Sequence, residues 1–169
     1  MRVFELDFKE VHDFKRGVMA GVPAVPLAAL TSVAVDLSLP SWKDALTAAG
    51  FDAALPSIWL VEGLLSYLTL AEATTLMSTI QRIAAHGSVT CTTFPGTKYE
   101  IAGPGSGQSS MHPFLCDRGG AFLESCGWLN TEQQQLGDIA AKLGRPTIPK
   151  DFGYFIVTAS VSKQARSKM

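Results

Sequence analysis

The chain has 169 residues, 47% apolar and 17% charged, with 14 Lys plus Arg against 15 Asp plus Glu, a balance that fits one soluble globular domain able to fold without disulfides or a structural metal. Three cysteines, Cys91, Cys116 and Cys126, make an odd set with no C-x-x-C spacing, which speaks for a reducing, cytoplasmic setting and against a disulfide framework or a zinc site. A net charge of −1 without a Lys/Arg cluster gives no footprint for nucleic acid or an anionic membrane, no apolar stretch reaches a spanning length, and MRVFELDFKE lacks the apolar core of a signal peptide.

Val3 to Asp7 alternates, with Phe4 and Leu6 on one face, and predicts a strand; Phe8, Val11 and Phe14 then fall at helical spacing over 8–15. Gly17 to Leu30 is rich in Gly, Ala and Pro and predicts a loose connection. Thr31 to Val35 is β-branched and runs into Asp36 and Leu37. Ser41, three residues before Asp44, resembles a helix N-cap for Trp42 to Ala49, ended by Gly50. Ile58 to Val61 is a continuous apolar run, suited to a strand covered on both faces, and ends at Glu62-Gly63. Thr69 and Glu72 form a capping box for a helix carrying Leu76, Met77, Ile80, Ile83 and Ala84 on one side and stopping at Gly87. Val89 to Phe94 predicts a strand, 96–117 a long flexible loop, 118–126 and 132–143 two helices, Tyr154 to Ala159 a last strand, and 162–169 a polar tail. The alternation β-α-β-α-β-α-β, then a loop, then α-α-β, is that of an open, mostly parallel α/β sheet in a single domain.

Ligands of such sheets bind outside the carboxyl ends of the strands. Asp7, Asp36 and Glu62 stand at three such ends, where acids can accept from ribose hydroxyls or an adenine amine; acids are also common there simply as caps of the following helix. His12, His86 and His112 are scattered without ligand spacing and read as surface or helix-end residues, so no metal site is expected. The cysteines read as small buried residues.

Val3-Phe4-Glu5-Leu6-Asp7, Val35-Asp36-Leu37 and above all Trp59-Leu60-Val61-Glu62-Gly63-Leu64-Leu65-Ser66-Tyr67-Leu68 resemble the leucine carboxyl methyltransferase family, as do Phe122 to Trp128 and Phe155 to Ala159. The resemblance covers most of the chain and implies a Rossmann-like class I fold, S-adenosyl-L-methionine as cofactor, and methyl transfer to an oxygen nucleophile. It implies that Asp7 holds the ribose hydroxyls, with Glu5 the lesser candidate. Asp36 and Leu37 would bracket the adenine, carboxylate to amine and Leu37 N–H to a ring nitrogen. Glu62 would face the methionine end, with Tyr67 the nearest aromatic or else a packing residue under the next helix. No catalytic residue is implied, because a carboxylate acceptor is already ionised near neutral pH and needs no base or metal.

The family's first strand and glycine-rich turn are expected upstream of Asp7, between the strands that end at Asp7 and Glu62, and only six residues precede Asp7 here. The family's upstream arginine is missing too. Gly103-Pro-Gly105-Ser-Gly107 is the other glycine cluster, but no strand leads into it and no helix opens from it. The expectation is a methyltransferase sheet lacking that strand and turn. For the acceptor, the resemblance implies a small-molecule or protein C-terminal carboxylate, related proteins being implied to act on a protein C-terminus, a modified tRNA base or small carboxylic acids. The competing expectation is a non-catalytic, shortened relative that folds by self-association or with a partner.

Overall fold

The computed structural model describes residues 1–22, 27–98, 113–145 and 153–162, and its contacts divide the chain into two compact units, Met1–Asp52 and Ala53–Met169. Among the described residues no helix is long and apolar enough to cross a membrane.

In the first unit, strand β1 (Arg2–Asp7) pairs in parallel with β2 (Ala29–Ala34), Arg2 opposite Ala29 and Asp7 opposite Ala34. Helix α1 (Lys9–Met19) joins them, and α2 (Trp42–Ala48) follows. The buried side chains are Val33, Trp42, Leu46 and His12; Phe4 meets Phe51 edge to face with ring centroids 6.1 Å apart. Two local expectations are corrected here. Ser41 does not cap α2 through its side chain: it is already helical, at φ −71° and ψ −15°, whereas the capping oxygen reaches back only from extended backbone. Helix α1 forms, but Phe8, Val11 and Phe14 face outward, Phe14 at 74% exposure, and the residue it buries is His12. His12 is therefore not a surface residue; its Nε2 lies 3.2 Å from the Val33 carbonyl, which gives the buried ring a polar partner.

The second unit is a four-stranded sheet in the order β3 (Ile58–Val61), β4 (Val89–Pro95), β6 (Tyr154–Ser160), β5 (Leu129–Gln135). β3 and β4 are parallel, and β6 runs antiparallel to both β4 and β5. A short 3₁₀ turn (Leu65–Tyr67) leads into α3 (Leu70–Ile83), and α4 (Gly119–Ser125) and α5 (Leu136–Lys142) flank β5 in sequence. The capping box is present: Thr69 Oγ1 accepts from the Glu72 N–H at 3.3 Å, and the Glu72 carboxylate accepts from the Thr69 N–H at 2.7 Å. Helix α3 buries Ala73, Leu76, Met77 and Ile80, as the 3.6-residue period requires. Trp128, fully buried, donates from its indole N–H to the Met77 carbonyl at 3.1 Å. It is brought there by the end of α4, where Gly127 adopts φ 91° and the Trp128 N–H returns to the Leu123 carbonyl. Phe94, Phe114 and Phe122 pack as a ring cluster, and at Gly119 a Cβ would stand 2.6 Å from the Phe94 ring, so α4 lies as close as it does only because that residue is glycine.

The predicted helix over 132–143 is wrong in its first part. Residues 129–135 form β5, and only Leu136–Lys142 is helical. Glu132 and three glutamines favour helix, but the strand is set by pairing with β6, Gln133 opposite Val157 and Gln135 opposite Phe155; as an outer, largely exposed strand it needs no apolar alternation. Asn130, at φ 51°, lies where the β5–β6 register shifts. β3 was expected to be covered on both faces, yet Ile58 and Leu60 are exposed at 80% and 67% while Val61 is buried; an unbroken apolar run carries no alternation to say which face is covered. Residues 99–112, with Gly103 to Gly107 and His112, and the tail beyond 162 lie outside the described residues.

Replacing Trp128 by Ala empties a fully buried site and orphans its contacts, so urea unfolding is expected to show a loss of about 3–5 kcal/mol. Thr69→Ala removes only a helix cap and is expected to cost about 1 kcal/mol in the same assay. Equal losses for the two would contradict this packing.

Candidate functional site

Parallel pairing decides what meets at the strand ends. Because Asp7 lies opposite Ala34, β1 and β2 run out together, and one further bond, Val35 N–H to the Asp7 carbonyl at 2.9 Å, carries the pairing to the threshold of Asp36. There the chain leaves the sheet in an Asx turn: Asp36 Oδ1 accepts from the Ser38 hydroxyl at 2.6 Å and the Ser38 N–H at 2.9 Å. The Ser38 hydroxyl first, and its N–H second, hold the Asp36 carboxyl below the usual carboxylate value, so it is ionised across the neutral range. The adjacent Leu37 is half-buried, and its N–H donates to no protein group among the described residues. Asp7 accepts the Phe8 N–H on Oδ1 at 2.8 Å. The structure thus brings Asp7, Asp36 and Leu37 to one edge of the first unit. Glu5, the lesser candidate, is held by Lys15 in an ion pair. An open groove of about 610 Å³ lies away from this edge, and its charged walls are engaged with protein groups, Glu5 with Lys15 and Arg16 with Asp13.

Glu62 belongs to the second unit. Val61 is opposite Thr92, so Glu62 follows directly on the end of β3, exposed to solvent. Gly63 takes φ 65°, a conformation that favours glycine, and its N–H donates to Thr93 Oγ1 at 2.9 Å. The same oxygen accepts from the Tyr154 hydroxyl at 3.2 Å. Burial first and the Glu62 charge second push the Cys91 thiol up, which favours its protonated form. Tyr67 is 64% exposed, which excludes a packing role under the next helix.

Sequence inspection missed three of these residues. Ser38 was detectable as the Asp-x-Ser of an Asx turn. Thr93 is the last of three threonines, with Thr90 and Thr92, that β4 buries, and hydroxyls in a buried strand must find partners; Tyr154 gave no local signal, because its link to Thr93 depends on the antiparallel pairing of β4 with β6. Among the described residues no cluster of His, Cys, Asp and Glu could hold a metal ion.

Residues 1–81 match the family model of leucine carboxyl methyltransferase. A Mycobacterium marinum protein named as an S-adenosyl-L-methionine-dependent methyltransferase is 34% identical over 168 residues, covering 88% of this chain and 54% of that protein. A Mycobacterium ulcerans protein of the same name is 46% identical over 103 residues, covering 60% and 33%. The chain thus spans about half, or less, of the length of the curated relatives it matches. In structure it is similar to a DUF574-family protein from Streptomyces avermitilis (TM-score 0.63, 14% identity, 95% of this chain and 65% of that one). It is also similar to human N-acetylserotonin methyltransferase, solved in complex with SAM (TM-score 0.57, 10% identity, 96% and 41%). The fold is Rossmann-like, of the class I methyltransferase type. By the match of the family model, residues 1–81 of this chain belong to the leucine carboxyl methyltransferase family.

Proposed function

We propose that this chain serves S-adenosyl-L-methionine-dependent O-methyl transfer, with a carboxylate or another oxygen nucleophile as acceptor. The observation that carries the reading is the strand-end arrangement of the first unit, where an ionised Asp36 stands next to a Leu37 N–H with no protein partner among the described residues. Adenine presents an amine donor beside a ring-nitrogen acceptor, the complement of that pair. Asp7, with one oxygen engaged by Phe8, keeps its other oxygen for a ribose hydroxyl. The residues present therefore fit the adenosine part of the cofactor. Glu62 offers an exposed negative charge of the kind that suits an ammonium or sulfonium group. The names of the relatives support S-adenosyl-L-methionine-dependent methyl transfer, without specifying the acceptor.

S-adenosyl-L-methionine supplies a methyl group activated on positively charged sulfur. The protein's share is placement, since bringing an acceptor into line at near-attack distance can replace much of the entropic barrier. A carboxylate acceptor arrives ionised, so no side chain has to remove a proton. A small carboxylic acid and a protein C-terminus both meet that description.

Titration calorimetry with S-adenosyl-L-methionine is expected to give a micromolar dissociation constant, weakened about 10- to 100-fold in Asp36→Ala, the usual loss for one hydrogen bond to a charged group. Absence of heat at millimolar ligand would contradict the reading. With a methyl-labelled cofactor, transfer to a carboxylate gives an alkali-labile ester that releases methanol; an alkali-stable product would exclude a carboxylate acceptor.

The Asp36 carboxyl also titrates in a defined direction. Its folded value is depressed, so whatever it contributes is present at neutral pH and lost only as pH falls through that lowered value, below 3.8. Ser38→Ala removes the largest cause and is expected to move the Asp36 titration, followed by carboxyl-carbon NMR, upward toward the ordinary value; an unchanged titration would contradict the Asx-turn account.

A further inference from the structure

The Glu62-Gly63 turn is not held by its own sequence. Among the described residues its anchor is the bond from the Gly63 N–H to Thr93 Oγ1, 2.9 Å long and thirty residues away in the chain. That oxygen is buried with its residue, and it also accepts from the Tyr154 hydroxyl at 3.2 Å. The register explains how three strands meet at one atom. Val61 lies opposite Thr92 in the parallel pair, so the turn after β3 passes beside Thr93. Thr93 lies opposite Ile156 in the antiparallel pair, and Tyr154, two residues before Ile156, points to the same face and reaches Thr93 diagonally. The amino end of β6 thereby stands at the carboxyl end of β3 and β4, the edge where ligands of such sheets bind.

We propose that Thr93, braced by Tyr154, is a positioning residue that fixes the Glu62-Gly63 turn and so sets where the Glu62 carboxylate stands. This rests on the reading of Glu62 as the group that faces the methionine end of the cofactor. In this role Thr93 acts through the turn it anchors. With both of its acceptor positions filled from protein donors, its own proton is left to donate elsewhere, so its rotamer is set by bonds rather than by packing alone. Gly63, at φ 65° and with open space at the Cβ position, has no side chain of its own to stop the turn from moving. Removing the Thr93 hydroxyl frees the turn while leaving the strand's shape in place, because Val is the isostere of Thr.

The test uses the whole chain with two readouts. Amide hydrogen exchange at Gly63 is expected to quicken about tenfold in Thr93→Val, the usual worth of one hydrogen bond, and to return toward the original rate in Thr93→Ser. Tyr154→Phe, which removes one donor and keeps the ring, is expected to give a smaller rise. S-adenosyl-L-methionine affinity should follow the same order, weakest in Thr93→Val and restored in Thr93→Ser. A Gly63 amide indifferent to Thr93→Val overturns the anchoring. Faster exchange with unchanged cofactor affinity overturns the positioning role. Failure of the unmutated chain to bind cofactor, seen before any variant is made, would instead overturn the reading on which this rests.

Discussion

A parallel pair of strands must end on the same side, and that constraint organises the candidate site residues of the first unit. Asp7 opposite Ala34 fixes the level at which β1 and β2 stop. Whatever residues come next are delivered together to one edge, without any need for them to be near in sequence. Asp7 and Asp36 are twenty-nine positions apart, yet the ladder makes them neighbours at the level of the strand ends, and the same ladder leaves Leu37 just outside the sheet, where its N–H is released from strand pairing. An Asx turn at Ser38 then does two things with one oxygen: it turns the chain toward α2, and it keeps the Asp36 carboxyl ionised.

The second unit uses hydroxyls in the way the first uses carboxylates. Thr90 Oγ1 lies 2.9 Å from Thr92 Oγ1 and donates to the Trp59 carbonyl at 3.1 Å, and Ser88 Oγ accepts the Ser57 N–H at 3.0 Å. Buried polar groups are tolerated because each finds a partner, and a buried β-branched strand can carry threonine where valine would serve for packing alone. The consequence is that β3, a strand of only four residues, is tied to β4 through side chains as well as backbone. Gly63 extends that tie past the end of the ladder.

Much of this was legible in the sequence, and the limits are physical. Strand ends marked by acids, the Thr69–Glu72 capping box and the apolar face of α3 are local patterns, and the structure has each of them. The motif from Trp59 to Leu68 pointed to the family through residues that cluster in one stretch. Beyond that, local pattern and tertiary pairing disagree. Glu132 to Gln135 has helix-forming composition and becomes strand because β6 offers it a ladder. Phe8, Val11 and Phe14 have helical spacing and form a helix, but spacing does not say which way the helix turns, and His12 is the residue buried. Thr93 and Tyr154 meet across sixty-one positions through antiparallel register, which no window of sequence contains.

The central claim is that the strand ends of the first unit receive the adenosine part of S-adenosyl-L-methionine. The most direct measurement is an amide NMR titration of the ¹⁵N-labelled chain with that cofactor. The account predicts that the Leu37 amide moves most, with Phe8 and Ser38 moving because their N–H groups are bonded to the two carboxylates. Saturation with Leu37, Phe8 and Ser38 unmoved would contradict it.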